Sequence, residues 1–566
     1  MKKFINGPED VVEEMLEGFA VLHPGSVRLR GHKVMVRADA ESARETQVAL
    51  ISGGGSGHEP AHAGYVGQGM LSAAVAGEVF TSPSSESVFA AIKAVAGLRG
   101  ALLIVKNYTG DRLNFGVAAE MARAEGIAVD MLVVDDDVAL RGTEALSGAR
   151  GLAGTVLLHK LVGAAAAEGK SLRELMETGR AALQSLGTMG VSLSAGTSPA
   201  VGRPSFVLGE QEMELGLGIH GEPGVRREQL RRADAITELL LDQILAAVAE
   251  PARVAVMVNN LGATTEMELA IVARQVARNL RARGVVLERI YAGTFLSSLD
   301  MAGVSISVLG VNDERLRWLD AATTAPAWPN APRQRPGQWE TQEAVPLASV
   351  GTRRAVHDGA AARQVIRAAC EALIDAEPEL TELDRMAGDG DLGVNMARAA
   401  KAVEEELPLY PVEDVGALLK ALGNTLRREM GGSSGPLYGA MFLRAGSVLE
   451  RSATTGWQEW IEALDEGCRA IGELGGAKAG DRTMLDAIVP FVERLRRDAV
   501  QDISPEGLIE AIEAAERGAQ ATAQMSPRLG RSSYLGDRVL GQVDPGARAV
   551  AIWLGAAARA WLALTP

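Results

Sequence analysis

Two textures of hydrophobic and polar positions run along this chain. Over the first three hundred residues, short apolar runs alternate with amphipathic stretches. In "GALLIVKNYTGDRLNFGVAAEMARAEGIAVDMLVVDDD", residues 101–105 read as a strand, about 113–125 as a helix and 129–134 as a second strand. That order is a βαβ unit, which calls for a parallel sheet covered by helices. The stretch "ARVAVMVNNLGATTEMELAIVARQVARNLRARGVVLERIYAG" repeats it, with strands near 254–258 and 285–290 around a long helix. Residues 1–325 are therefore expected to be α/β, in two subdomains of about 1–190 and 191–325 with mixed or parallel sheets.

The second texture begins after a break. Between 321 and 346 five prolines lie among polar residues and no apolar period persists, which marks an interdomain linker, drawn at 326–350. Beyond it strand signals stop. Helical periods follow one another near 360, 395, 415, 440, 460, 487, 508 and 550, so residues 351–566 are expected to be all-α, a bundle or helical barrel. In the first half the Ala-rich "LVGAAAAEG" reads as a helix rather than as low complexity.

Composition narrows the class. At 566 residues the chain is too long for one core, and 47% hydrophobic with 23% charged residues is the balance of a soluble globular protein. Aromatics are scarce at 4%, so helices packed through small side chains are expected. A formal charge of −15 argues against nucleic acid or an anionic membrane as partner, because both need clustered Lys and Arg. It does not argue against an anionic substrate, which needs only local donors and metal ions. Cys370 and Cys468 have no CxxC spacing, which excludes a disulfide framework and fits a reducing cytoplasm. The start, "MKKFINGPEDVVEEML", meets Glu and Asp where a signal peptide needs an apolar region, and no uninterrupted apolar run approaches the ~18 residues of a membrane span. A cytoplasmic protein is the expectation.

Candidate chemistry gathers in glycine-rich loops. In "ELDRMAGDGDLGVNMARA", Asp384, Asp389 and Asp391 fall close together with glycines between them. Neighbouring carboxylates repel unless a cation joins them, and glycine lets side chains two apart converge. Oxygen donors without His or Cys favour Mg²⁺, and a helix starting just after would offer its N-terminus to a phosphate. An acidic solvated turn capping that helix is the plain alternative. "GGSSGPLYG" puts Ser433 and Ser434 ahead of another helix, a second anion-binding arrangement that read alone is an ordinary helix entry. In the first half, His58 follows "GGGSG", Lys106 and Asp111 follow the 101–105 strand in "VKNYTGD", and His220 sits between glycines in "LGLGIHGEPG". Loops after parallel strands are where such sheets bind ligands.

Taken together and in order, "GGGSGHEP", "VKNYTGD", "GIHGEPG", "LDRMAGDGDLG", "GGSSGPLYG", "AGDRTMLDA" and "GRSSYLGDRVLGQVDPGA" resemble the single-chain, ATP-dependent dihydroxyacetone kinase family over nearly the whole chain. The resemblance implies a ketose-binding α/β K domain followed by an ATP-binding L domain that is an eight-helix barrel. It implies that His220 adds through a ring nitrogen to the substrate carbonyl and holds it as a hemiaminal, which only an aldehyde or ketone can form. Gly55, Ser56, Gly57, His58 and Lys106 would hold the substrate hydroxyls, and Asp111 would act as general base. Asp384, Asp389 and Asp391 would anchor Mg²⁺ bridging the ATP phosphates. Leu392, Gly393, Asn395, Ser433 and Ser434 would meet those phosphates, with Thr483, Met484, Asp544, Pro545 and Gly546 closing around the nucleotide. A homodimer is implied, and a splitting of FAD into a cyclic nucleotide at the same metal site occurs in this architecture.

Two positions depart from the family's usual pattern, Ser533 where Ala is commoner and Asp537 where Glu is. The expected reaction is phosphorylation of dihydroxyacetone. Rival readings are a kinase for a four-carbon ketose such as erythrulose, a phosphotransferase-dependent enzyme, and a non-catalytic ligand sensor on the K scaffold. Fusion of the two domains favours direct use of ATP, and the intact Asp cluster and Asp111 favour catalysis.

Overall fold

The computed structural model describes residues 2–141, 148–222, 224–248, 251–330, 359–452, 456–498, 503–529 and 531–564. The chain divides into two compact units, Met1–Gln342 and Glu343–Pro566. The expected 326–350 linker lies outside the described residues from 331 onward.

The first unit runs α1 (Val11–Leu22), β1 (Ser26–Arg28), β2 (Val34–Arg37), α2 (Ala40–Thr46), β3 (Ala49–Ser56), β4 (Ala73–Val79), α3 (Ser85–Val95), β5 (Ala101–Lys106), α4 (Thr109–Ala124) and β6 (Val129–Val134). Helices α5 (Gly154–Ala167) and α6 (Leu172–Leu183) lead to β7 (Leu186–Ser192), β8 (Glu212–Leu215), β9 (Arg226–Gln229), α7 (Ala233–Ala247), β10 (Arg253–Asn260), α8 (Glu266–Ala282), β11 (Val286–Gly293), β12 (Gly303–Gly310) and α9 (Asp313–Asp320). The strands form two six-stranded mixed sheets, ordered β1-β2-β4-β3-β5-β6 and β11-β10-β12-β7-β8-β9. In the first, β4, β3, β5 and β6 are mutually parallel. In the second only β10 and β11 are parallel, and the pairings from β10 through β12, β7 and β8 to β9 are antiparallel. A subdomain border near 190 falls inside β7, the first strand of the second sheet in chain order. The change of sheet lies in α5 and α6.

β5 shows why its sequence is an unbroken apolar run. Leu102 and Ile104 pack into a core shared with α5, while Ala101, Leu103 and Val105 pack with α3 and α4 on the other face. A strand covered on both faces has no polar side to alternate with. Helix α5 joins Leu50, Leu102 and Ile104 of the first sheet to Ala255, Met257 and Leu309 of the second in one core. It is therefore buried nearly all round, which its "LVGAAAA" composition reflects. Parallel order places the C-terminal ends of β3 and β5 side by side, with their onward connections leaving toward β4 and β6. That is a topological switch point, where open sheets form a crevice.

The second unit comprises α10 (Gly359–Asp375), α11 (Glu377–Ala387), α12 (Leu392–Glu406), α13 (Val415–Glu429), α14 (Ser434–Arg451), α15 (Trp457–Gly475), α16 (Leu485–Asp498), α17 (Pro505–Ala521) and α18 (Pro545–Leu564). Nine α-helices thus stand among the described residues where eight helical periods were read. The added one, α11, follows α10 after Ala376 alone and has Pro378 in its first turn, where a missing N–H costs nothing. The inner faces enclose an apolar cavity of about 520 Å³, lined by residues including Met396, Leu419, Phe442, Trp460 and Trp553. Helix α18 has the length and apolarity of a membrane span, and its Ala547, Val550, Ala551 and Leu554 are packed in this unit's core.

Candidate active site

The first unit builds one site from loops of both sheets. β3 carries three glycines near its end because a Cβ would collide with Val75 at Gly53, with Lys106 at Gly54 and with Phe80 and Thr81 at Gly55. A Cβ on Gly54 would stand 2.5 Å from Lys106 Nζ and 3.3 Å from Asp111 Oδ2, so the bare backbone there leaves room for both groups. Lys106 is the last residue of β5, and Asp111 lies in the first turn of α4. Both are buried. His58 follows the glycines, is wholly buried, and donates from Nδ1 to the Ser297 carbonyl at 2.9 Å. That fixes the tautomer with Nε2 as the lone-pair nitrogen, and His58 Nε2 has no hydrogen-bond partner in the protein.

His220 comes from the loop between β8 and β9, in the second sheet. Its ring centroid lies 4.7 Å from His58, 4.5 Å from Tyr108 and 5.4 Å from Phe80, all edge-on. Glu222 holds it from the other side. One carboxylate oxygen accepts from the His220 backbone N–H at 2.8 Å and the other lies 3.1 Å from Nδ1. With Nδ1 occupied, Nε2 is the nitrogen left for chemistry. The 297–299 segment ties the two histidine loops together: Leu299 N–H donates to the Gly57 carbonyl, and the Ser298 hydroxyl donates to the Ile219 carbonyl.

Burial sets the protonation states. Desolvation, then the charges of His220 and Lys106, push His58 well below the usual imidazole range, so it is neutral at physiological pH. Burial pushes the Lys106 ammonium down, and the Asp111 carboxylate pulls it part of the way back. Burial pushes Glu222 up, but its hydrogen bond to His220 and the charge there outweigh this and hold the carboxyl below its usual range. Glu222 is accordingly an anion beside the ring on which a nucleophilic addition would create positive charge.

Of the residues expected to hold hydroxyls, Gly55, Gly57, His58 and Lys106 surround this site. Ser56 directs its hydroxyl elsewhere, donating to the Gly77 carbonyl at 2.8 Å. Glu222, Tyr108, Phe80 and Ser297 were not singled out from sequence. Only Glu222 carried a signal, as the carboxylate two residues after His220 in a turn.

In the second unit Asp384, Asp389 and Asp391 each offer one oxygen, and these oxygens lie within 4.8 Å of one another. Asp384 also does the capping, since its Oδ2 accepts from the Asp391 and Leu392 backbone N–H groups at 2.9 and 3.1 Å. The Asp391 side chain makes no capping bond, and Asp389 and Asp391 are exposed. The nearby Arg385 is committed to Glu382. A close, oxygen-only carboxylate set with its neighbouring cation engaged elsewhere fits Mg²⁺.

Gly393 lets α12 approach α11. A Cβ there would stand 2.2 Å from Thr381 Oγ1 and 2.3 Å from the Glu377 carbonyl. Asn395, two residues on, meets the turn before α14, where a Cβ on Gly431 would lie 3.4 Å from its Oδ1. Ser433 and Ser434 open α14, and the Ser433 side chain makes no capping bond. Thr483 and Met484 are brought to Asp544, Pro545 and Gly546, since a Cβ on Gly546 would lie 3.9 Å from the Met484 backbone N. Burial, opposed by hydrogen bonding from Ala547 and by Arg482, pushes Asp544 up to about 6. Among the described residues, the non-glycine residues with left-handed backbone are Phe80 (φ 59°), Leu299 (φ 56°) and Arg482 (φ 62°). Phe80 and Leu299 stand beside the two histidine loops, and Arg482 lies next to Thr483 with its guanidinium 3.7 Å from Asp544.

The two sites together define a chain that holds a small polar molecule on an α/β unit and has a carboxylate set for a metal–phosphate group on an α-helical one. The Dak1 domain family model matches residues 17–327, and the DAK2 domain model matches residues 386–559. The chain is 43% identical over 582 residues to a putative 3,4-dihydroxy-2-butanone kinase of Solanum lycopersicum, with 99% of this chain and 98% of that one covered. It is also 43% identical over 578 residues to the triokinase/FMN cyclase of Homo sapiens, covering 98% of each. A solved structure of the dihydroxyacetone kinase from C. freundii in complex with AMP-PNP and Mg²⁺ is 35% identical, covers 99% of both chains and superposes with a TM-score of 0.66. The chain belongs to the dihydroxyacetone kinase family, with Dak1 and DAK2 domains in one polypeptide.

Proposed function

We propose that this protein transfers the γ-phosphoryl group of ATP to a hydroxyl of a small ketose, with dihydroxyacetone as the first candidate and dihydroxyacetone phosphate as product. The observation that carries this reading is the pair of facing imidazoles, His58 buried and His220 partly buried, with ring centroids 4.7 Å apart. His220 has Nδ1 on Glu222 and Nε2 left for addition, while His58 Nε2 is a buried acceptor awaiting a donor.

In the first step the Nε2 lone pair of His220 attacks the ketose carbonyl carbon. A C–N bond forms, the carbonyl π bond opens, and its oxygen takes up a proton from solvent, so the ring is left with one positive charge. The charge arising on the ring faces the Glu222 carboxylate. Glycerol, having no carbonyl, cannot be held this way, so carbonyl chemistry replaces a count of hydrogen bonds as the filter. His58 Nε2 accepts from one substrate hydroxyl, and the Lys106 ammonium donates to another. Asp111 takes the proton of the hydroxyl that attacks the γ-phosphorus as the bond to the β-phosphate oxygen breaks. Asp384, Asp389 and Asp391 would hold Mg²⁺, which supplies charge neutralisation for the phosphates. The backbone N–H groups opening α12 and α14 offer further phosphate donors.

The test is a panel with ATP and Mg²⁺: dihydroxyacetone, both erythrulose enantiomers, glyceraldehyde and glycerol. Parallel ¹³C NMR with carbonyl-labelled ketose reads whether the carbonyl carbon becomes tetrahedral on the protein. Ketose turnover with a tetrahedral adduct is expected. Glycerol phosphorylated as fast as the ketoses, or no adduct, would sink the reading. Erythrulose stands in the panel as the rival substrate, because the adduct needs only a small carbonyl compound, and the name of the tomato relative, a four-carbon ketone kinase, supports including it.

A further inference from the structure

We propose that His62 is a positioning residue for phosphoryl transfer: it takes one proton direction of the Lys106 ammonium and thereby aims the remaining ones at the acceptor hydroxyl and Asp111. The inference rests on the reading of Lys106 as a substrate donor. His62 lies four residues beyond His58, is buried, and sits with Nε2 2.8 Å from Lys106 Nζ.

The direction of the contact follows from a chain of donors. The Ser52 hydroxyl donates to the Ile104 carbonyl at 2.7 Å, so toward His62 its oxygen is an acceptor. His62 Nδ1 lies 3.4 Å from that oxygen and therefore carries the ring proton. Nε2 is then the lone-pair nitrogen, and the ammonium donates to it. Ser52 pairs with Ile104 across β3 and β5, so the chain starts on the strand that ends in Lys106. Among the described residues a second hydrogen-bond acceptor of Nζ is the Gly53 carbonyl at 3.5 Å, the outer limit of a hydrogen bond, and the Asp111 carboxylate stands near enough to act on its charge. A four-carbon stem with rotatable ends does not fix an ammonium by itself, and one good acceptor behind it selects a rotamer. Burial and the charge of Lys106 keep His62 neutral, as this role needs.

His62 therefore acts on orientation and not on capture, because His220 captures the carbonyl without it. The experiment compares three variants of the full chain on dihydroxyacetone, with kcat normalised to the fraction that forms the labelled adduct. His62→Gln reaches the Nε2 position with its amide oxygen and is expected to keep kcat within about threefold. His62→Asn fills only the Nδ1 position and is expected to lower kcat by about tenfold or more while KM stays within about threefold. In a Lys106→Met background, His62→Asn is expected to change kcat by less than about twofold, because the group it positions is gone. Gln and Asn falling together, Asn matching the parent, or an undiminished Asn effect in the Lys106→Met background would each overturn the role of His62. Absence of ketose turnover and adduct in the parent chain would instead overturn the functional reading, and this inference with it.

Discussion

The two sites differ most in their exposure to water. Around the ketose site His58, Lys106 and Asp111 are all buried, and each charge or lone pair faces a partner or the pocket. Around the metal site Asp389 and Asp391 are exposed, and only Asp384 is partly covered and hydrogen-bonded to the backbone. Burial makes the first site selective, because a polar ligand that leaves His58, Lys106 or Asp111 unmatched incurs the full desolvation cost. Exposure suits the second, since a hydrated divalent ion with a nucleotide must enter and leave at every turnover.

Four expectations would break or sharpen this contrast. The largest effect belongs to the exposed site. Asp389→Ala, or removal of metal by a chelator, is expected to lower turnover by about a thousandfold while the labelled ketose adduct still forms at His220. Loss of the adduct as well would mean that the two sites are not separable in this way. Next, His220→Ala is expected to reduce kcat/KM for dihydroxyacetone about a hundredfold or more, with nucleotide affinity measured calorimetrically left unchanged. Equal rates on ketose and glycerol in that variant would fit a site stripped of its carbonyl filter.

A smaller effect, about tenfold in kcat/KM, is expected for Glu222→Gln, which keeps the shape but removes the charge facing the ring. Wild-type adduct stability in that variant would relegate Glu222 to packing. The smallest effect is on stability. His58, His62 and His159 are buried and neutral, His159 pushed by burial down to about 3 from 6.5. Below about pH 6.5 the unfolded chain takes up protons that the folded one refuses, so stability falls as pH drops, by up to about 1.4 kcal/mol per pH unit for each group. Asp136 in the first unit and Asp544 in the second, both raised to about 6, work in the opposite sense as pH falls through 6. Hydrogen-exchange mass spectrometry between pH 6.5 and 5 should therefore show the first unit loosening more than the second. Equal loosening would remove the buried histidines as the cause.

Much of the fold was legible where one period dominated a segment. β6 is Val129–Val134, as read, and β5 exceeds its expected span by Lys106 alone. The helix expected from about 113 begins at Thr109, because Asp111 sits in its first turn, where a negative charge is favourable and so marks an entry, not a loop. α11 gives no separate period along the chain, because a single residue, Ala376, separates it from α10. The antiparallel β8 and β9 are four residues each and lie among glycines and charges, too short for a period to register.

By itself the sequence determined the chemistry available: which loops carry imidazole, ammonium and carboxylate, which helices follow the Asp cluster and the Gly/Ser turn, and which glycines leave room for close approach. Those are local facts, written in spacing and residue type. Only the tertiary structure decided which groups face each other. Ser297 fixes the tautomer of His58 from 239 residues away, and α5 lies between two sheets whose strands are far apart in the chain. Pairings across such distances depend on sheet order and on the depth of burial, and no period along the chain encodes either. Burial also turned loop histidines of ordinary basicity into neutral, aimed imidazoles, and that change separates a glycine-rich turn from a site.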